Sequence, residues 1–467
     1  MHNMKLSNFA VSVTLLTTLF ATGLAYPQAG TEPGHASQHE CRIESTVFDG
    51  WQAQQITNQW LKLVLVPQLG GRMMQVTFAG HPFLFVNPKY RGRYFPPVEG
   101  TRKWFNYGGD KIWPMPEGSQ DDQHWPGPIS DALDDGNYAF NVVSQGSQCV
   151  VRLEGPPDVR TGLQYTREIS VGPDSPEILF QATMRNASTR PIRWSLQSVS
   201  QYDTTDAGNA ATFNHNFWAF TPANSKSSYL DGYHVRSGVA DDPSYSVKNG
   251  IFALHWLYLQ GEVWVDSPAG WVAVVDGSSH FAMVERFDFD PAAEYPGKAT
   301  VIFYKNGPAV EIDSKGAAVI RTSSEDSPFY MEAELNSPMV QLAPGESYTF
   351  NTKWFPTRIG SDFRTATDAG VTSETLNIAG TNDGVKLSGT VGVFFAGRLV
   401  ARFTGKDDRE LTTIPLQAVD PADAVTLNQQ VNAPAGAERV SLRLIDTRGV
   451  DRGSLGEARI GHDPEGF

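Results

Sequence analysis

Phe329-Tyr-Met-Glu-Ala-Glu-Leu-Asn-Ser-Pro-Met-Val-Gln-Leu-Ala-Pro-Gly-Glu-Ser-Tyr-Thr-Phe-Asn-Thr-Lys-Trp354 reads as a strand, a tight turn and a second strand. Neighbouring residues on a strand point to opposite faces. Tyr330, Glu332 and Glu334 therefore share one face, and Met331, Ala333 and Leu335 the other. Two carboxylates beside a tyrosine are costly if buried without partners, so the pattern points to a polar cleft. A wet hairpin kept soluble by its Glu residues has the same pattern. Pro344 and Gly345 supply the turn, one by fixing φ and the other by permitting positive φ.

The same alternation runs outward in both directions. Trp60 to Val66, Arg72 to Phe78, Phe83 to Asn87, Tyr138 to Val143, Gln148 to Glu154, Leu163 to Val171 and Ile178 to Arg185 read as strands. So do Ile192 to Asp203, Phe252 to Val265, Gly270 to Val275, His280 to Phe287 and Thr300 to Tyr304. No apolar period of helix length interrupts them. In Ile192 to Asp203, Trp194, Leu196 and Ser198 share one face, and Ser195, Gln197, Val199 and Gln201 the other. Residues 204–250 read as loop-rich.

Residues 88–137 stand apart. They include Trp104-Phe-Asn-Tyr-Gly-Gly-Asp-Lys-Ile-Trp-Pro-Met-Pro-Glu117 and His124-Trp-Pro-Gly-Pro128. A loop this long is usually functional or disordered, and its aromatic content argues against disorder. Trp and Tyr beside Asp, Lys and Asn suit a sugar: a ring packs on the C–H face of a pyranose while polar groups orient its hydroxyls. Simple packing over the core is the alternative.

The chain begins with Lys5, an apolar run from Phe9 to Leu24, and Gly23-Leu24-Ala25, the layout of a cleavable signal peptide over residues 1–25. The expectation is export to the periplasm or the medium, with no membrane span after cleavage. Residues 26–44 read as a disordered lead-in. The formal charge of −14, without a basic cluster, argues against nucleic acid and anionic membranes as partners. Cys41 and Cys149 are the only cysteines. An oxidising compartment would join them in one disulfide, worth at most roughly 4–5 kcal/mol by loop-closure entropy; two free thiols are the alternative.

Past Trp354 the composition shifts. Residues 359–374, rich in Gly, Ser, Thr, Asp and Ala, read as a linker. Residues 375–467 hold short strands (Val385 to Val391, Val393 to Arg402, Val425 to Val431, Arg439 to Leu444), enough for a small immunoglobulin-like β-sandwich serving as an accessory domain.

Residues 45–358 resemble the galactose-mutarotase-like (aldose 1-epimerase-like) superfamily, and most of all a secreted bacterial branch of it. The resemblance lies in Val66-Pro-Gln-Leu-Gly-Gly-Arg72 with Phe83-Leu-Phe-Val-Asn-Pro88, in Asn106-Tyr-Gly-Gly-Asp-Lys-Ile-Trp-Pro-Met-Pro116, in Asn186 with Trp194 to Gln201, and in Tyr330 to Trp354. It implies an all-β protein: a large antiparallel β-sandwich, the superfamily's supersandwich, with a sugar cleft on a concave face. It also implies a catalytic Glu on the strand before the Pro-Gly turn, here Glu332 or Glu334. The histidine acid of such epimerases belongs on the Trp194 to Gln201 strand, which has none. Gln197 and Gln201 occupy that region, and an amide cannot give up a proton at neutral pH. His215, His81 and His124 are candidate substitutes. No cofactor and no metal is expected, since no His or Cys spacing is metal-like; Asp121-Asp122 and Asp134-Asp135 are carboxylate pairs that more often mark turns.

The site expected is a cleft lined by Tyr107, Asp110, Lys111, Trp113, Trp194, Gln197, Gln201, Glu332 and Glu334. Three functions compete: an exported carbohydrate-binding protein, an aldose 1-epimerase-type isomerase using Glu332 or Glu334, and a glycoside hydrolase or polysaccharide lyase module. A hydrolase wants two carboxylates facing each other across the scissile bond, whereas Glu332 and Glu334 point the same way. Binding ranks first.

Overall fold

Short alternating runs separated by Gly, Pro and Asp turns can bury an apolar face only by pairing with other such runs. The computed structural model of the protein does this with antiparallel sheets almost throughout. It describes residues 40–98, 100, 103–118, 123–239, 241–312, 318–321, 328–381 and 384–460. The expected signal peptide and most of the expected lead-in lie outside these residues, as does Asp121-Asp122.

The sheet that carries Glu332 and Glu334 runs Tyr233–Ser237, Gly261–Val265, Val301–Lys305, Tyr330–Asn336 and Ile192–Asp203. The far side of Ile192–Asp203 carries Asp110–Met115, with Ser195 opposite Met115 and Ser200 opposite Asp110. Gln197 lies opposite Asn336 and Gln201 opposite Glu332. Glu332 in turn lies opposite Tyr304, and Tyr304 opposite Glu262. A ten-stranded sheet, with Ile178–Asn186 and Ser347–Arg358 near its middle, contributes Phe180, Ala182, Met184 and Trp354 to a core shared with Met331, Ala333 and Leu335. The odd-numbered residues of Tyr330–Asn336 thus face this core. Their even-numbered neighbours face away from it.

Several expectations need correction. A strand, Arg42–Phe48, begins inside the expected lead-in and pairs with Trp51–Thr57. The long aromatic loop contains the strand Asp110–Met115, which pairs with Ile192–Asp203. Phe83 to Asn87 is no full strand: its pairing reduces to bridges from Leu84 to Tyr202 and from Val86 to Gly108. Phe252 to Val265 is two strands in different sheets, Ile251–His255 and Gly261–Val265, broken where Gln260 donates its backbone N–H to Pro308.

Cys41 and Cys149 are joined by a disulfide with Cα atoms 5.8 Å apart. The strands from Thr365 to Arg459 form two four-stranded sheets that share one core: Leu387, Val391 and Leu427 from one, Leu399, Phe403 and Leu444 from the other. The expected linker is part of this structure. Thr365–Ala366 and the start of Gly370–Thr381 are strands, and Ile359, Phe363, Ala369 and Val371 are buried. Small polar residues there look like a linker by composition, but the apolar ones between them are spaced to reach the core. Among the described residues no helix is long and apolar enough to cross a membrane.

Candidate functional site

Adjacent strands place side chains of one ladder row about 5 Å apart on the same face. Read row by row, the face turned away from the core is polar. One row holds Glu262, Tyr304, Glu332 and Gln201; the next holds Trp264, Ile302, Glu334, Val199 and Lys111; Asn336, Gln197 and Trp113 form a third.

Several of these groups bond to one another. Lys111 Nζ lies 2.7 Å from Glu332 Oε1, and both side chains are nearly inaccessible, at 2% and 6%. Gln201 Nε2 donates to the same oxygen at 2.5 Å. Gln197 Nε2 donates to Glu334 Oε2 at 2.6 Å. The Trp264 indole donates to Glu262. Lys111 also lies 4.4 Å from the ring centroid of Trp113 and 5.7 Å from that of Trp104, so its charge is held by a carboxylate and two indole faces.

Electrostatics separate the carboxyls. Burial first, then the negative charges of Glu332, Glu262 and Glu117, hold Glu334 well above the usual carboxylate range, with Lys111 opposing. Glu117 stands at the exposed rim, but crowding by surrounding protein, then Glu262 and Glu332, pushes it up to about 7. Glu262 is raised as well, by burial foremost. Burial lowers the Lys111 ammonium while Glu332 resists the shift. Tyr304 is pushed up to about 12, by burial and then by the charge of Glu332. Glu334, raised by burial and by its neighbours' charge, thus stands two residues from Glu332, which is paired with Lys111.

A cleft of about 800 Å³ opens beside this face. Tyr304 and Tyr330 line it on the sheet side, Phe85, Asn106 and Trp104 on the loop side. Glu332 and Glu334 are the next side chains along the strand from Tyr330, one and two steps further on the same face.

The structure brings Lys111, Trp113, Gln197, Gln201, Glu332 and Glu334 to one face. It does not bring the other three expected residues there. Asp110 points into the core, ion-pairs with Arg167 and accepts the Met73 N–H at 2.6 Å. Trp194 is buried on the core side and donates to the Thr161 carbonyl at 3.2 Å. Tyr107 is buried against Trp51 and accepts the Phe95 N–H at 3.0 Å. Trp113 is on the face but is only 3% exposed. It packs on Trp125 and donates to Asp134 Oδ1 at 2.8 Å, so it presents a wall behind Lys111 rather than an open stacking platform.

The other candidates resolve into structural roles. Asp134 binds Arg72 at 2.7 Å and accepts the Trp104 indole at 3.0 Å, which ties the aromatic loop together. Asp135 beside it is pushed up to about 8, by burial and by Asp134. Among the described residues no group of His, Cys, Asp and Glu is arranged to hold a metal ion. His81 stacks on Phe281 at 4.5 Å, and His215 packs on Phe213 at 4.1 Å, both away from the polar face. His124 packs near Gly118, the neighbour of Glu117. The imidazole on the polar face itself is His234, on the edge strand and stacked on Tyr229.

Sequence reasoning missed Glu262, Trp264, Tyr304, Trp104 and Glu117. Alternation of Glu262 and Trp264 with buried Val263 and Val265 was readable. The adjacency of that strand, through Val301–Lys305, to Glu332 was not, because strand order is non-local.

The sequence profile of one family, described as Domain of unknown function (DUF4380), matches residues 52–356. No curated protein matches the sequence significantly. Solved structures similar to this chain include a galactose mutarotase-like protein from Clostridium acetobutylicum, at 9% identity and TM-score 0.41, covering 68% of this chain and 99% of that one. The Slr1438 protein from Synechocystis is similar at 11% identity and TM-score 0.43, covering 68% and 96%. A TPR-domain containing protein from Parabacteroides distasonis is similar at 14% identity and TM-score 0.42, over 66% of this chain. The chain spans about half, 47%, of that protein's length.

Proposed function

We propose, for a chain that belongs to the DUF4380 family, that the polar face around Glu332 and Glu334 is a carbohydrate-binding site and that the protein acts as an exported sugar-binding protein. The observation that carries this reading is one sheet face on which Lys111, Gln197, Gln201, Glu332 and Glu334 are bonded to one another beside a cleft walled by Trp104, Tyr304 and Tyr330. Amides, carboxyls and an ammonium address hydroxyls in both donor and acceptor sense, and aromatic walls suit the C–H faces of a pyranose. Export is supported by the leader-like residues 1–25 and by the Cys41–Cys149 disulfide, which suits an oxidising compartment. Calorimetry with a panel of monosaccharides and oligosaccharides tests the reading. Binding to the wild type that is lost in Trp104→Ala and weakened in Glu334→Gln supports it. Binding unaffected by both changes places the site elsewhere.

One observation favours a second reading, aldose 1-epimerase-type isomerisation. Burial, then neighbouring negative charge, raises Glu334 above the usual carboxylate range, which suits an acid, while Glu332 faces an ammonium; the two stand two residues apart, roughly 6.5–7 Å between Cα atoms. In such a reaction the base takes the proton of the anomeric hydroxyl, the acid gives one to the ring oxygen, and the ring C–O bond opens. Polarimetry on any free sugar that binds decides between the two readings: accelerated mutarotation that Glu334→Gln abolishes favours the isomerase.

A further inference from the structure

The acceptors on the polar face outnumber the cations. Glu117, Glu262, Glu332 and Glu334 influence one another's charge, while Lys111 and Arg236 are the opposing groups. Lys111 is committed to Glu332. Arg236 is exposed and lies 5.8 Å from the Trp264 ring centroid. Glu334 has no ion-pair partner among the described residues; its hydrogen bond comes from a neutral amide, Gln197.

A second feature points the same way. Gln201 is fully buried; its Nε2 donates to Glu332, but its Oε1 receives no donor. Reversing the amide would set its oxygen against the Glu332 carboxylate, so this orientation is enforced. Gln201 and Glu334 are diagonal neighbours across the ladder, with Cα atoms about 7–8 Å apart. A buried acceptor without a donor is costly, and a buried carboxyl ionises at low cost only beside a cation. A neutral hydroxyl offers one donor and no charge. An ammonium offers three donors and the missing charge, and charge-assisted hydrogen bonds are about twice as strong as neutral ones. The aromatic walls of the adjoining cleft also favour a cation.

We propose that the site takes an amino sugar, a pyranose carrying a primary ammonium group, with the ammonium seated against Glu334 and within reach of the Gln201 carbonyl. The inference rests on the sugar-site reading above and narrows its ligand class. An ammonium seated there opposes the shift that burial, then Glu332, Glu262 and Glu117, impose on Glu334, and so favours its ionised form on binding.

Calorimetry on the full chain compares D-glucosamine, D-galactosamine and D-mannosamine with D-glucose, D-galactose and D-mannose near neutral pH. At least one amine is expected to bind about tenfold or more tightly than its parent, a difference of about 1.4 kcal/mol, and to release protons, seen as an enthalpy that depends on the buffer. Glu334→Gln should bring the amine-to-parent ratio close to one. Glu117→Gln, at the exposed rim and so tolerant of substitution, should lower it severalfold. Parents binding as tightly as amines overturns the amine inference and leaves the sugar site standing. Absence of binding in both series overturns both. A preference that survives Glu334→Gln, or survives Glu117→Gln undiminished if the first variant does not fold, also overturns the inference.

Discussion

Lys111 and Glu332 illustrate what a buried charge pair demands. Each is nearly inaccessible, and each has the other as its main compensation. Lys111→Met should cost about 3–5 kcal/mol in chemical denaturation, because it leaves a carboxylate buried against Gln201 alone. Adding Glu332→Gln to that variant should recover part of the loss; a double variant less stable than Lys111→Met would contradict the pairing. Glu285 makes a different prediction. It is fully buried, accepts the Tyr202 hydroxyl at 2.5 Å, and burial pushes it up to about 8. A raised carboxyl is protonated in the folded chain while the unfolded chain has already ionised. Stability therefore falls as pH rises between about 4.5 and 8, by at most roughly 1.4 kcal/mol per pH unit. Glu285→Gln, neutral throughout, should gain on the wild type from pH 5 to pH 8 when melting is followed against pH. A stability difference that does not change with pH would be inconsistent with the shift. At this scale strand alternation located Glu332, Glu334, Gln197 and Gln201. The same alternation set Trp194 opposite to Gln197 and Asp110 opposite to Lys111. Residue type suggested otherwise and was misleading, because a tryptophan or an ion-paired aspartate also serves a core.

The strand Asp110–Met115 owes its place to the glycines before it. Gly108 has φ +97°, and a Cβ there would lie 2.2 Å from the Phe85 carbonyl oxygen; one on Gly109 would lie 2.8 Å from that of Met73. Only a chain without side chains at these positions passes between those backbones and delivers Lys111 and Trp113 to the sheet. Gly108→Ala should destabilise by roughly 2–4 kcal/mol through strain and displacement. It should also weaken any ligand binding more than the distant Gly345→Ala, since at Gly345 a Cβ meets nothing within 4 Å. Equal effects of the two changes would argue against this role. The Tyr-Gly-Gly-Asp motif was visible in the sequence, but its surroundings read as loop. Six residues crowded with Trp, Pro and Met give little periodicity, and their pairing partner lies about eighty residues on.

Across the whole molecule, the C-terminal sheets are packed onto the large sandwich. Trp271, Val275, Val284 and Phe355 of the ten-stranded sheet share a core with Phe363, Val371, Phe394 and Phe395. Phe355 stacks on Phe394 at 4.5 Å and Phe220 on Phe363 at 4.4 Å, and the Trp60 indole reaches Asp420 at 3.1 Å. Limited proteolysis of the native protein should therefore spare residues 359–374, and truncation after Arg358 should yield an aggregation-prone fragment. Rapid cleavage there, with release of a stable sandwich, would restore the linker. Composition made the all-β class legible. The contact between the parts was not, because apolar residues at isolated positions reveal neither their partners nor their burial.

A crystal structure of the protein soaked with its tightest-binding sugar shows whether the ligand sits on the Glu332–Glu334 face. The expected result is a ligand within hydrogen-bond distance of Glu334 that extends into the cleft lined by Tyr304 and Trp104. A sugar ordered elsewhere, for instance on the C-terminal sheet face around Asn377, Ser388 and Asn428, with the Glu334 face holding only water, would contradict it.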